Sequence, residues 1–170
     1  MESDAILTNG AGNYSAWAHR YYQFSCTRSQ LAPTSGAMGY GVPAAIAAKL
    51  QAPQRQVICL AGDGCFLMTS QELATVRQNR LAIVFIVFNN GMYGTIRMHQ
   101  ETHYPGHTLG TDLFNPDFVA YAASFGIAGE RVQHTDDFAH ALARALACGD
   151  SYLIELAIEW LALTDGLLNR

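Results

Sequence analysis

The 170-residue sequence has no CxxC pair, and its four cysteines, Cys26, Cys59, Cys65 and Cys148, show no framework spacing. Reduced thiols are expected, two of them in or beside apolar runs, as in a protein of a reducing compartment. No block of Lys or Arg occurs. Ten basic against fourteen acidic residues leave a formal charge of −4, which gives no electrostatic footing for nucleic acid or an anionic membrane. No apolar run approaches the roughly 20 residues that span a bilayer. The start, Met1-Glu2-Ser3-Asp4, is acidic where a secretory signal needs basic residues. The expectation is a cytoplasmic protein that partners neither nucleic acid nor membrane. Neither GxGxxG nor a Walker lysine appears, which discourages generic nucleotide binding. Charge itself is scarce, at 14% of residues. Against a usual ~25%, this argues for a folded chain with part of its surface covered by a partner.

What is present alternates short β-rich runs with helical ones. Ala5–Thr8 reads as a short strand ending at Asn9-Gly10-Ala11-Gly12, and Val42–Leu50 as an alanine-rich helix with Pro43 in its first turn. Val57–Ala61 is an apolar strand stopped by Gly62-Asp63-Gly64. Thr69 and Glu72 stand at capping-box spacing before the next helix. Ile83–Phe88 is an unbroken apolar run closed by Asn89-Asn90-Gly91, and the polar stretch after Met92 reads as a loop. Asn115-Pro116-Asp117 opens a helix to about Phe125 by the N-cap and N1 rule, and Asp136 or Asp137 caps another through about Cys148. Leu153–Ile158 is a last strand. Fully apolar strands alternating with helices predict an α/β fold, doubly wound, with a mostly parallel sheet covered by helices on both faces.

In such sheets ligands lie beyond the carboxyl ends of the strands. Asp63 and Asn90 each close an apolar strand, and strands ~4.8 Å apart would let their side chains converge. A carboxylate with an amide oxygen is a hard, oxygen-only pair, suited to Mg²⁺ or Ca²⁺ completed by phosphate and water. Flanking glycines let a phosphate approach backbone N–H groups at Gly64 and Cys65. Taken separately, each motif is also an ordinary tight turn.

Gly62-Asp63-Gly64, then residues 65–88, then Asn89-Asn90, resembles the thiamine-diphosphate fingerprint of the C-terminal, diphosphate-binding domain of acetolactate synthase-like enzymes. The likeness runs from about Asn9 to about Ile158. It takes in Asn9–Asn13 with Trp17, then Ser35–Ala45, and Asn89-Asn90-Gly91-Met92-Tyr93-Gly94. The resemblance implies the thiamine-diphosphate-binding fold over residues 1–160, followed by a divergent tail at 161–170. It implies two cofactors, thiamine diphosphate and Mg²⁺. Asp63, Asn90 and the carbonyl of Met92 would ligate the cation. Gly64 and Cys65 would donate backbone N–H groups to the diphosphate. Ala11, Gly12, Asn13 and Tyr14 would wrap it from the other side, and Tyr93 would join the cofactor site. Met38 would wedge beneath the cofactor and bend it, with the Gly36 carbonyl accepting from the 4′-amino group, which then sits beside thiazolium C2 and can take its proton.

The reaction implied is decarboxylation or carboligation of a small 2-oxo acid. The catalytic residue, a glutamate, belongs to a pyrimidine-binding domain or subunit that these residues do not match, so no catalytic residue is assigned to this chain, which is expected to be inactive alone and to work in a homo- or hetero-oligomer. Two departures from the family pattern favour a fragment, or a non-catalytic remnant or interaction module that keeps the fold. One is Arg80, where the family places glycine; the other is the apolar tail. Other residues are set aside. His99, His103 and His107 recur at i, i+4 and i+8, but Pro105-Gly106 breaks the helix a metal face requires. Cys65 has no neighbouring histidine to make it a nucleophile. Glu155 is expected to pair or face solvent, Glu159 carries no role, and His99 or Gln100 could touch substrate.

Overall fold

The computed structural model describes residues 1–159; the tail at 161–170 lies outside the described residues. Six strands, β1 (Ile6–Asn9), β2 (Gln30–Leu31), β3 (Val57–Gly62), β4 (Val84–Asn89), β5 (Ala128–Val132) and β6 (Tyr152–Ala157), form one all-parallel sheet in the order β2-β1-β3-β4-β6-β5. Seven α-helices accompany them among the described residues: α1 (Tyr14–Tyr21), α2 (Gly41–Gln51), α3 (Asp63–Leu67), α4 (Leu73–Gln78), α5 (Gly94–His103), α6 (Phe118–Ser124) and α7 (Phe138–Ala147).

Strand pleating sends alternate residues to opposite faces, and both faces are covered. Val57, Cys59 and Ala61 of β3, with Phe85 and Val87 of β4, pack beneath Val42, Ala45 and Ile46 of α2, Leu73 and Val76 of α4, and Phe118 and Ala122 of α6. Ile58 and Leu60, with Val84 and Ile86, face Tyr14 of α1 and Ala141 and Ala145 of α7. Direction of travel explains this division. Steps from β2 to β3, β3 to β4 and β4 to β5 run one way across the sheet; β1 to β2 and β5 to β6 run the other. A right-handed crossover puts its helix on the face dictated by that direction. Winding reverses between β1 and β3, and a crevice opens there at the carboxyl end of the sheet.

The expected fold class stands, while several local expectations are corrected. Thr69 and Glu72 form no capping box: Thr69 Oγ1 donates to the Gly39 carbonyl (2.9 Å), and Glu72 accepts instead from Thr75 Oγ1 (2.7 Å). A 3₁₀ turn over Ser70–Glu72 therefore precedes α4. The N-cap of α6 is Asp117, whose Oδ1 accepts from Ala120 N at 2.9 Å, and not Asn115. Residues 94–103 are helical and not loop, with Pro105 and Gly106 falling just beyond the helix end. His99 and His103 share α5 with ring centroids 6.0 Å apart, while His107 lies outside it. Strands β2 and β5 and helix α1 have no counterpart in the expected pattern. Arg80 does adopt the left-handed conformation, at φ +52°.

Candidate cofactor site

Because β3 pairs directly with β4, Gly62 opposite Phe88, the chain leaves both strands side by side. Asp63 begins α3 and is 3% exposed. Its Oδ1 accepts from Gly64 N (2.8 Å), and its Oδ2 from Gly91 N (2.9 Å) and Asn115 Nδ2 (2.8 Å). Burial raises the carboxyl above its ordinary pKa, opposed by these donors, Asn115 foremost. No Lys, Arg or His among the described residues forms an ion pair with it. Across the turn, Asn90 Oδ1 accepts from Met92 N (3.3 Å), and the Met92 carbonyl accepts from Gly94 N (3.0 Å).

These groups open onto a cavity of about 230 Å³ at the winding reversal. Every residue assigned from the sequence to the cofactor or the cation lines it: Ala11, Gly12, Asn13 and Tyr14 after β1; Gly36 and Met38 before α2; Asp63, Gly64 and Cys65 after β3; Asn90, Met92 and Tyr93 after β4. Close packing fixes the walls. A Cβ on Gly64 would lie 2.5 Å from Tyr93 Cε1, so glycine is required where that ring crosses the turn. Gly12, at φ +141°, would put a Cβ 2.7 Å from the Tyr14 ring. The Tyr14 ring stacks on Phe88 (centroids 5.2 Å apart), and its buried hydroxyl has no hydrogen-bond partner among the described residues. Burial, reinforced by Cys65, drives the Tyr14 phenol far above its usual range. Burial also raises the Cys65 thiol, which donates to the Ala11 carbonyl at 2.8 Å and is a poor nucleophile.

The cavity has further walls that the sequence pattern did not single out: Gly62, Phe88, and the first turn of α5 through Gly94, Thr95 and Ile96. Helix α5 is tied to the opposite rim by Asn13 N donating to Thr95 Oγ1 (3.2 Å). Neither His99 nor Gln100 lines the cavity; Gln100 instead exchanges hydrogen bonds with the backbone of Leu109 (3.0 and 2.9 Å). Glu155 is 1% exposed and paired, its Oε2 3.0 Å from Arg131 Nε. Asn115 is the main omission. An Asn-Pro-Asp run offers two N-cap candidates, and taking Asn115 as the cap hides a side chain that reaches Asp63. Among the described residues no group of three or more His, Cys, Asp or Glu is placed to hold a metal. A cation here would rely on amide, carbonyl, phosphate and water oxygens beside one carboxylate.

Residues 10–156 match the family described as thiamine pyrophosphate enzyme, C-terminal TPP binding domain. The acetolactate synthase large subunit of Corynebacterium glutamicum is 37% identical over 153 residues, covering 86% of this chain and 24% of that protein. The acetolactate synthase isozyme 2 large subunit of Escherichia coli K12 is 33% identical over 161 residues, covering 92% and 29%. A solved structure, the thiamine diphosphate-dependent 4-hydroxybenzoylformate decarboxylase of Rhodococcus jostii RHA1, superposes with a TM-score of 0.86 at 35% identity, covering 93% of this chain and 30% of the other. The chain thus spans 24–30% of the length of these proteins.

Proposed function

The chain belongs to the family of C-terminal, TPP-binding domains of thiamine pyrophosphate enzymes, and on that premise we propose that it binds thiamine diphosphate together with Mg²⁺ as part of an acetolactate synthase-like enzyme acting on 2-oxo acids. The observation that carries the cation assignment is Asp63: a buried carboxylate, held by three donors, with no cationic side chain beside it among the described residues. Isolated buried charge is costly, and a divalent ion compensates it. Among the described residues, Asn90 Oδ1 and the Met92 carbonyl each accept one hydrogen bond and keep a lone pair for the same ion.

The backbone of Ala11, Gly12 and Asn13 on one rim, and of Gly64 and Cys65 on the other, would hold the diphosphate. Tyr14 and Tyr93 close the walls of the same cavity. Met38 offers an apolar, adaptable prop, and the Gly36 carbonyl an acceptor for the aminopyrimidine. When bound, the cofactor supplies a thiazolium carbon that adds to a 2-oxo acid carbonyl and takes up the electron pair released with CO₂. The chain's own part is to orient that group and to keep its charged end neutralised. A pyrimidine-binding domain or subunit would complete the site with its glutamate, so turnover is expected only in that assembly.

The test is calorimetric titration of the 170-residue chain with thiamine diphosphate, with and without Mg²⁺, repeated with Asp63→Ala and Asn90→Ala. Mg²⁺-dependent uptake by the wild type, lost in both variants, is the expected result. Uptake that ignores Mg²⁺, or no uptake with or without a pyrimidine-binding partner, refutes the assignment.

A further inference from the structure

Asp63 does not stand alone at the carboxyl edge of the sheet. A run of polar contacts continues from it through Asn115 to side chains on β4, β6 and β5. Asn115 Nδ2 lies 2.8 Å from Asp63 Oδ2 and 2.8 Å from Asn89 Oδ1, at the end of β4. Asn89 Nδ2 in turn donates to Glu155 Oε1 on β6 (2.8 Å), and Glu155 Oε2 meets Arg131 Nε on β5 (3.0 Å). Strand order makes this chain of contacts possible, since β3, β4, β6 and β5 are consecutive neighbours.

The orientation of the Asn115 amide is settled by its partners. Both neighbours are acceptors, a carboxylate and an amide oxygen whose own nitrogen is committed to Glu155, so Nδ2 must face them. Its Oδ1 is consequently buried without a partner among the described residues, a cost that a merely space-filling side chain would not carry. The return is control over one carboxylate. With Gly91 N and Asn115 Nδ2 both on Oδ2, and only Gly64 N on Oδ1, Oδ1 is the oxygen left with an unclaimed lone pair.

We propose that Asn115 is a positioning residue: it locks the Asp63 carboxylate in one rotation, anchored through Asn89 to the buried Glu155 and its ion pair with Arg131, so that Oδ1 is the oxygen presented to a divalent cation. The functional meaning rests on the cation role proposed for Asp63, whereas the locking does not. Groups that hold a metal ligand in this way change metal affinity by about 10- to 100-fold when removed.

The experiment is NMR-detected amide hydrogen exchange on the full chain, first free of cation and cofactor. In Asn115→Ala, exchange of the Gly64 and Gly91 N–H groups, both bonded to Asp63, should quicken about tenfold. Protection at Val87 and Ile154 in the sheet should be kept. Asn115→Ser, which suits the position before proline but cannot span both acceptors, should show the same two-glycine signature and serves if the alanine variant does not fold. With thiamine diphosphate present, half-saturation should need about 10- to 100-fold more Mg²⁺. Unchanged exchange at the two glycines, protection lost evenly across α6 and the sheet, or unaltered Mg²⁺ dependence overturns the proposal. Since the exchange measurement needs no ligand, a wild-type chain that takes up no thiamine diphosphate, alone or with a pyrimidine-binding partner, would refute the proposed function while leaving the locking of Asp63 separately decided.

Discussion

Removing Arg131 should expose how much the fold depends on neutralising Glu155. The carboxylate is 1% exposed on an inner strand, and the guanidinium beside it is 41% exposed on the edge strand β5. Breaking a wholly buried pair by deleting one member costs about 3–5 kcal/mol, because a lone charge is left in a poor solvent. Here water already reaches the arginine and can partly replace it, so Arg131→Ala should cost about 2–3 kcal/mol. The second ion pair of Arg131, to Asp117 Oδ2 at 3.7 Å, is exposed and adds little. For a chain of this size that loss lowers Tm by roughly 5–10 °C. Glu155→Gln removes the charge while keeping an acceptor for Asn89, so the double variant should return to within about 1 kcal/mol of the wild type. Urea denaturation and thermal melts of the wild type, the two single variants and the double variant make the cycle. A single variant costing under about 0.5 kcal/mol, or a double variant no more stable than Arg131→Ala, would refute the account of a buried charge needing its partner.

Gly41→Ala should destabilise by about 1–3 kcal/mol, since a Cβ there would meet rigid backbone, 3.1 Å from Gly10 N and 3.2 Å from Asn9 C; an unchanged urea midpoint would count against close packing of α2 on β1. Cys59, wholly buried, has its thiol pushed up to about 12 by burial from an unfolded value of 9.0. Between those values the unfolded chain holds fewer protons than the folded one, so stability falls as pH rises, by at most about 1.4 kcal/mol per pH unit. That share of the alkaline slope should vanish in Cys59→Ala, as read by denaturation between pH 8 and 11. Arg80→Gly should raise stability by roughly 0.5–1 kcal/mol, because the relief of a left-handed side-chain clash exceeds the added chain entropy; a lower denaturation midpoint would contradict it. A thiol reagent applied to the folded chain should modify Cys26 and Cys148 quickly and reach Cys59 and Cys65 only on unfolding.

The convergence of Asp63 with Asn90 is legible in the sequence because each follows a wholly apolar run, and such runs belong to inner strands whose ends share one edge. The covered faces are legible for the same reason, as in Ile83–Phe88, which alternates between two helix layers. What escapes has a different physical character. Strand β5, Ala-Gly-Glu-Arg-Val, is an edge strand with only Val132 buried, so it lacks the apolar signal of its neighbours. Helix α5 buries no residue fully, and its polar composition beside Pro105 and Gly106 reads as loop. The role of Asn115 is tertiary: its partners Asp63 and Asn89 are remote in sequence, and no local pattern distinguishes it from a helix cap.

The sixth strand is synthesised after the other five yet lies between β4 and β5. Until it inserts, β4 has no neighbour on that side and Asn89 has no carboxylate to donate to. Parallel pairing over such sequence distances is slow to form, since loop closure must precede any gain from contact. Completion of the sheet is thus tied to the insertion of β6: a nascent or shortened polypeptide ending before Tyr152 would leave β4 and β5 with open strand edges, prone to pairing with other chains.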